Sequence, residues 1–162
     1  MFSQLTCAVI IESPEGWLLG HSPKNQKWDL PKGKKDDHES PLEAVIRECW
    51  EETGFNLKPF MAELKDLGAY AYPRKKEPER GLHLFYLKLN NAFDISELSG
   101  QLTNNSMLEM DRFAWVSLEK IEKTLNKKLG SHLKKRGLIP HKSNWIEMMN
   151  PFLNNSQRLF KI

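Results

Sequence analysis

Residues 28–55 read WDLPKGKKDDHESPLEAVIRECWEETGF. Ser40-Pro41, with Glu43 three places after the serine, is a helix start: a capping hydroxyl, a proline at the first helical position and a reciprocal carboxylate. Leu42, Val45, Ile46, Cys49 and Trp50 recur at spacings of three and four, which predicts an amphipathic helix with these side chains turned inward. Thr53-Gly54 ends it. Four carboxylates, Glu43, Glu48, Glu51 and Glu52, crowd around one arginine, Arg47. At roughly 100° per residue, Glu48, Glu51 and Glu52 share about a third of the helix circumference. Like charges on one ridge repel. A cation neutralises such a ridge, and hard carboxylate oxygens select Mg²⁺ or Mn²⁺, which keep waters for phosphate oxygens.

Taken alone, RECWEE reads as a solvated helix face. The residues before it change that reading. Gly33 is followed by five residues, Glu39, seven residues, and then Arg47-Glu48-Cys49-Trp50-Glu51-Glu52-Thr53-Gly54-Phe55. This resembles the Nudix box, G-x5-E-x7-R-E-U-x-E-E-x-G-U with U apolar, and every specified position is filled, with Cys49 and Phe55 as the U residues. The resemblance spans roughly residues 5–120. It implies an α/β fold in which a mixed β-sheet is sandwiched between α-helices and the box forms a loop, a helix and a loop.

The resemblance also implies roles. Glu48, Glu51 and Glu52 are the expected metal ligands, joined by the Gly33 carbonyl, and the metal is Mg²⁺ or Mn²⁺. Arg47 is expected to orient a catalytic glutamate, and Glu51 is placed with the catalytic set as well as the ligands. Glu39 supports the loop and Gly54 lets it turn. The reaction is attack of water on a phosphorus of a pyrophosphate linkage, and Glu109, six residues before Trp115 in EMDRFAW, is the expected base. Lys32 and Lys34 flank Gly33 and are candidates to reach phosphate. Tyr72 is the expected substrate-side aromatic, and Trp28, Tyr70 and Tyr86 are further stacking candidates, although aromatics on strands more often fill cores.

Working outward, LTCAVIIE at 5–12 and WLLGH at 17–21 read as strands joined by the turn SPEG, and Trp28–Leu30 is a short extended piece before a proline. Strands are expected at 63–72, 82–89 and Phe113–Val116, and helices at 117–128 and 143–160. The 162 residues suit a single domain, 1–162, with its core at about 5–120 and a helical C-terminal extension over about 117–162. Hydrophobic residues make up 40% and charged residues 28%, an ordinary globular composition, and the net charge of +3 is too small to argue for nucleic acid by itself. Charge is segregated instead: 36–52 is acidic, whereas 73–80 and 123–136 are basic, which suits a divalent metal beside an anionic substrate. Cys7 and Cys49 read as reduced packing residues. No stretch resembles a signal peptide or reaches the ~20 apolar residues of a membrane helix, so a cytoplasmic protein is expected.

The box fixes the chemistry and leaves the substrate open. WDLPKGKKDD is nearer the W-x-F-P-K-G-K segment of mRNA decapping enzymes than the W-x-x-P-K-G-H segment of asymmetric diadenosine tetraphosphate hydrolases. Bacterial RNA pyrophosphohydrolases share the short architecture but usually carry Gln where Lys32 stands. The favoured substrate is an RNA 5′ end, with lysines at 123–135 following its backbone. A dinucleoside polyphosphate is the alternative, and oxidised dNTPs and ADP-ribose stay open. Some Nudix folds bind nucleotides without cleaving them, usually after losing box carboxylates; none is lost here.

Overall fold

A computed structural model describes residues 1–76 and 78–139. The chain order is β1 (Gln4–Ser13), β2 (Gly16–Ser22), β3 (Lys27–Asp29), β4 (Lys32–Lys34), α1 (Pro41–Thr53), β5 (Lys65–Ala71), β6 (Arg80–Lys88), β7 (Arg112–Val116), α2 (Leu118–Thr124) and α3 (Lys127–Lys135). The strands form one mixed sheet in the order β3-β2-β1-β6-β5, with β4 also paired to β1 and β7 to β2. Among the strand pairings of the described residues only β1 with β6 is parallel; the others are antiparallel.

β1 is apolar from Cys7 to Ile11 because both of its faces are covered there. Cys7, Val9 and Ile11 point to one core together with Ala44, Val45 and Cys49 of α1. Ala8 and Ile10 point to the other, together with Ile121 of α2 and Leu129 and Leu133 of α3. Helices therefore lie on both faces of the sheet, as the α/β sandwich reading requires. Both cysteines are free and buried. Among the described residues no helix is long and apolar enough to cross a membrane.

α1 begins as its sequence dictates. Ser40 accepts from the Glu43 N–H at 3.2 Å, Glu43 returns a bond to the Ser40 N–H at 2.7 Å, and Pro41 sits in the first turn. Gly54 closes it with a left-handed φ of 73°. One expectation fails on this helix. Trp50 does not turn inward but is 46% exposed, because Ala44, Val45 and Cys49 already form the inner stripe and Trp50 lies about 100° from Cys49.

Three other expectations shift. The PKG segment, read as loop, forms β4, which pairs Lys32, Gly33 and Lys34 with Ala8, Cys7 and Thr6. The strand expected over 63–72 begins only at Lys65, after a 3₁₀ turn at Lys58–Phe60. The helix expected over 117–128 is two helices. Leu125 is extended (ψ 146°) and bridges to Trp28, while Asn126 caps α3 by accepting from the Lys128 N–H at 3.1 Å. The capping side chain competes with helix continuation at Asn126, and the pairing of this segment with Trp28 fixes the break there. The helix expected at 143–160 lies outside the described residues.

Candidate active site

Strand β4 and helix α1 face one another where β1 carries both. Gly33, at the centre of β4, lies directly beneath Glu48: a methyl group on its α-carbon would fall 1.9 Å from the Glu48 Cδ. Glu52, one turn further along α1, accepts from the Lys32 backbone N–H at 2.7 Å. Glu48 and Glu52 are 9% and 6% exposed, so the two carboxylates are sunk together against the strand.

Arg47 braces Glu48 of this pair. Its Nε and Nη2 donate to the two oxygens of Glu39 at 2.6 and 2.9 Å, its Nη1 donates to Glu48 at 2.8 Å and Glu51 at 3.1 Å, and its Nη2 also donates to the Lys34 carbonyl at 3.0 Å. A planar guanidinium with five donors is the side chain that can hold three carboxylates and a carbonyl at once. Hydrogen bonds from Arg47 hold the Glu39 carboxyl down to about 2. Glu51 is drawn to Arg47 across one helical turn and its side chain is 43% exposed, so it stands apart from the buried pair.

Burial pushes the Glu48 carboxyl above its ordinary value, opposed by Arg47 and reinforced by Glu51 and Glu109. Burial pushes Glu52 well up, opposed by the Lys32 charge and N–H and reinforced by Glu48 and Glu109. Two carboxylates raised by desolvation and by neighbouring carboxylates are stabilised by a shared cation. Glu109 is exposed in the segment before β7, yet its charge reaches both.

The remaining expected site residues divide. Lys32 is at the site, but its ammonium pairs with Asp29 at 2.8 Å. Lys34 is exposed at the end of β4. Tyr72 offers no open face for a base: it is 4% exposed, with the Lys128 ammonium 4.8 Å from its ring centroid and the edge of His132 against it. It belongs to the core between the sheet and α3, as aromatics at strand ends commonly do. Of the other aromatics, Tyr86 is buried and donates to Glu12 at 3.0 Å, and Tyr70 donates to the Leu67 carbonyl. Trp28 is half-buried, edge-on to His21. Two residues of the site escaped the sequence reading, Asp29 and Asn126, whose amide stands 3.5 Å from the Asp29 carboxylate. Asp29 precedes Lys32 by three in WDLPK, and that spacing was its one visible signal.

The NUDIX domain model matches residues 3–136. The chain belongs to the NUDIX family. This NUDIX chain is 30% identical over 102 residues to an RNA pyrophosphohydrolase of Bartonella quintana (strain Toulouse), a match covering 59% of each protein. It is 45% identical over 98 residues to an uncharacterized 17.7 kDa protein from the e-segB intergenic region of Enterobacteria phage T4, covering 56% of this chain and 61% of that one. The matches thus span about three-fifths of those relatives. Its fold is similar to that of a C. elegans Ap4A hydrolase solved as a binary complex, with a TM-score of 0.59 and 22% identity over 90% of this chain and 98% of that one.

The NUDIX family typically uses divalent metal, and the residues present fit one. Among the described residues no three His, Cys, Asp or Glu side chains converge so as to hold a metal ion between them. Two buried carboxylates over a glycine backbone are the open, all-oxygen donor set that suits Mg²⁺ or Mn²⁺ and leaves positions for water and phosphate.

Proposed function

We propose that this protein is a metal-dependent pyrophosphohydrolase that cleaves a phosphoanhydride bond at the 5′ end of an RNA. The observation that carries the chemistry is the buried carboxylate pair of Glu48, seated on Gly33 and braced by Arg47, and Glu52, held by the Lys32 N–H. Glu48, Glu52 and the Gly33 carbonyl would hold the divalent ion. Bound there, it would draw charge from the phosphate oxygens and acidify an attacking water. Arg47 keeps Glu48 in one rotamer and ties it to the loop through Glu39 and the Lys34 carbonyl. Glu109, exposed and within electrostatic range of both carboxylates, takes the proton of the attacking water. Lys34, exposed on β4 beside the pair, meets the phosphate chain, whereas the Lys32 ammonium is engaged by Asp29.

The substrate reading draws on the similarity to proteins named RNA pyrophosphohydrolases and on the basic surface at α2 and α3. Not all of that surface is open. Lys128 donates to the Pro73 carbonyl at 2.6 Å, Lys134 pairs with Glu122 at 2.7 Å, and the Arg136 guanidinium lies 4.1 Å from the Tyr70 ring centroid. Lys123, Lys127 and Lys135 are exposed and offer a phosphate-following edge.

The test is a panel of 5′-triphosphate RNA, capped RNA, diadenosine tetraphosphate, ADP-ribose and dNTPs, each with Mg²⁺ or Mn²⁺ and with chelator. Triphosphate or capped RNA should be turned over with the highest kcat/KM, chelator should abolish turnover, and Glu52→Gln should lower kcat by on the order of 10³-fold with the fold intact. A preference for diadenosine tetraphosphate would replace the RNA reading. Binding without turnover of any substrate would make the chain a nucleotide-binding module.

A further inference from the structure

Lys32 brings a positive charge into the place where a divalent cation is expected. Its backbone N–H donates to Glu52 Oε2 at 2.7 Å, so the side chain is rooted at that carboxylate. A lysine ammonium on a flexible four-carbon stem, free to rotate there, would close on Glu52 or Glu48 as an internal counter-ion. It would then occupy the oxygens that a metal needs.

It is held elsewhere. The ammonium pairs with Asp29 Oδ2 at 2.8 Å, and the two side chains are only 19% and 12% exposed. Asp29 is fixed in turn. Its Oδ1 accepts from the Leu30 N–H at 3.0 Å, and its Oδ2 faces Asn126 Nδ2 at 3.5 Å. Asn126 is anchored by donating its N–H to the Trp28 carbonyl at 2.7 Å, and it caps the nine-residue α3. Asp29 is therefore tied to the residue that caps α3.

We propose that Asp29 is a positioning residue of the metal site, which holds the Lys32 ammonium off Glu52 and balances its charge so that the Glu48–Glu52 pair stays open to a divalent cation. This rests on the reading of Glu48 and Glu52 as metal ligands. Asp29 acts through Lys32 and touches neither metal nor substrate. Charge at short range in a poorly solvated site shifts ion affinity strongly, so the two members of the pair act with opposite sign.

The experiment measures Mn²⁺ affinity of the full chain without substrate, by the loss of the free-ion EPR signal, in wild type, Asp29→Asn, Lys32→Met and the double variant. Asp29→Asn should weaken Mn²⁺ binding by about tenfold, Lys32→Met should tighten it several-fold, and the double variant should return to within about threefold of wild type. A misfolded variant cannot bind metal more tightly, so the gain in Lys32→Met keeps the test independent of folding. If Asp29→Asn and Lys32→Met shift affinity in the same direction, or neither shifts it, Asp29 is only a member of a structural ion pair and the proposal is overturned. If wild type itself binds no Mn²⁺, the metal reading falls and takes this proposal with it.

Discussion

The Glu48 carboxylate rests on the α-carbon of Gly33, where an added methyl group would meet its two oxygens at 2.0 and 2.2 Å. Neither side can yield easily. Gly33 is paired to Cys7 at the centre of the sheet, and Glu48 is tied to Arg47 at 2.8 Å. Gly33→Ala should therefore expel the Glu48 carboxylate. The expected outcome is a fall in kcat of about 10²-fold or more and weakened Mn²⁺ binding, since a small misplacement of a reacting group costs this much. The circular dichroism spectrum should stay native. Turnover within a few-fold of wild type would show that Glu48 need not sit where it does.

Glu109 gives a second test. If it accepts the proton of the attacking water, Glu109→Gln lowers kcat and leaves KM and Mn²⁺ affinity near wild type, the signature of an interaction made in the transition state. The acidic limb of the pH–rate profile should also change. An unaltered profile at unaltered kcat would leave Glu109 as an exposed carboxylate near the site and nothing more.

The buried thiols predict alkaline instability. Burial pushes Cys7 and Cys49 from 9.0 up to about 12, and Tyr72 from 10.0 up to about 12. Between those limits the folded chain holds protons that the unfolded chain has released. The stability they contribute is thus complete below about pH 9 and is lost as pH rises toward 12. Urea midpoints measured at pH 7.5, 9 and 10.5 should fall over the last interval, and Cys49→Ala should show a shallower fall. Both thiols should also resist alkylation in the folded protein at pH 8. A midpoint that holds flat to pH 10.5 would refute the assignment.

Salt dependence separates a long RNA from a compact dinucleotide. Each phosphate contact on a single strand contributes a slope of about −0.7 in log K against log salt. Changing the exposed Lys123, Lys127 and Lys135 together to Ala should flatten that slope by about two units for triphosphate RNA and weaken its processing about tenfold or more. Diadenosine tetraphosphate cleavage should stay within about threefold, because screened surface charges act weakly on a distant site. Equal effects on both substrates would dismiss α2 and α3 as an RNA-following edge.

The box was legible because its signals are local. Capping at Ser40, closure at Gly54 and the fixed separations of Gly33, Glu39 and Arg47 all lie within a short stretch of chain, and each appears in the fold. Long-range pairing was not legible. Nothing in PKG announces that it becomes a strand, since its partner is β1. The break at Leu125 and Asn126 depends on Trp28, almost a hundred residues away, so helical periodicity ran straight through it. Trp50 misled because a spacing of three and four is satisfied by a stripe wider than the face that the sheet has room to cover. Lys32 was seen as a charge, but its partner Asp29 was not, because Asp29 ends β3 and Lys32 begins β4, and no single periodicity spans the two strands.

The parallel pairing of β1 with β6 runs over nine residue pairs, from Gln4 with Arg80 to Glu12 with Lys88. It sets a timetable for synthesis. The ribosome finishes the box long before it delivers the strand that flanks β1, so β1 spends that interval as an apolar edge with unpaired amides. The carboxylate pair has no rigid floor until Lys88 has emerged. Chains that stall between Gly54 and Arg80 should therefore be aggregation-prone and bind no metal, although they contain the entire box. Late, non-local strand closure should also make refolding slow for a chain of this length.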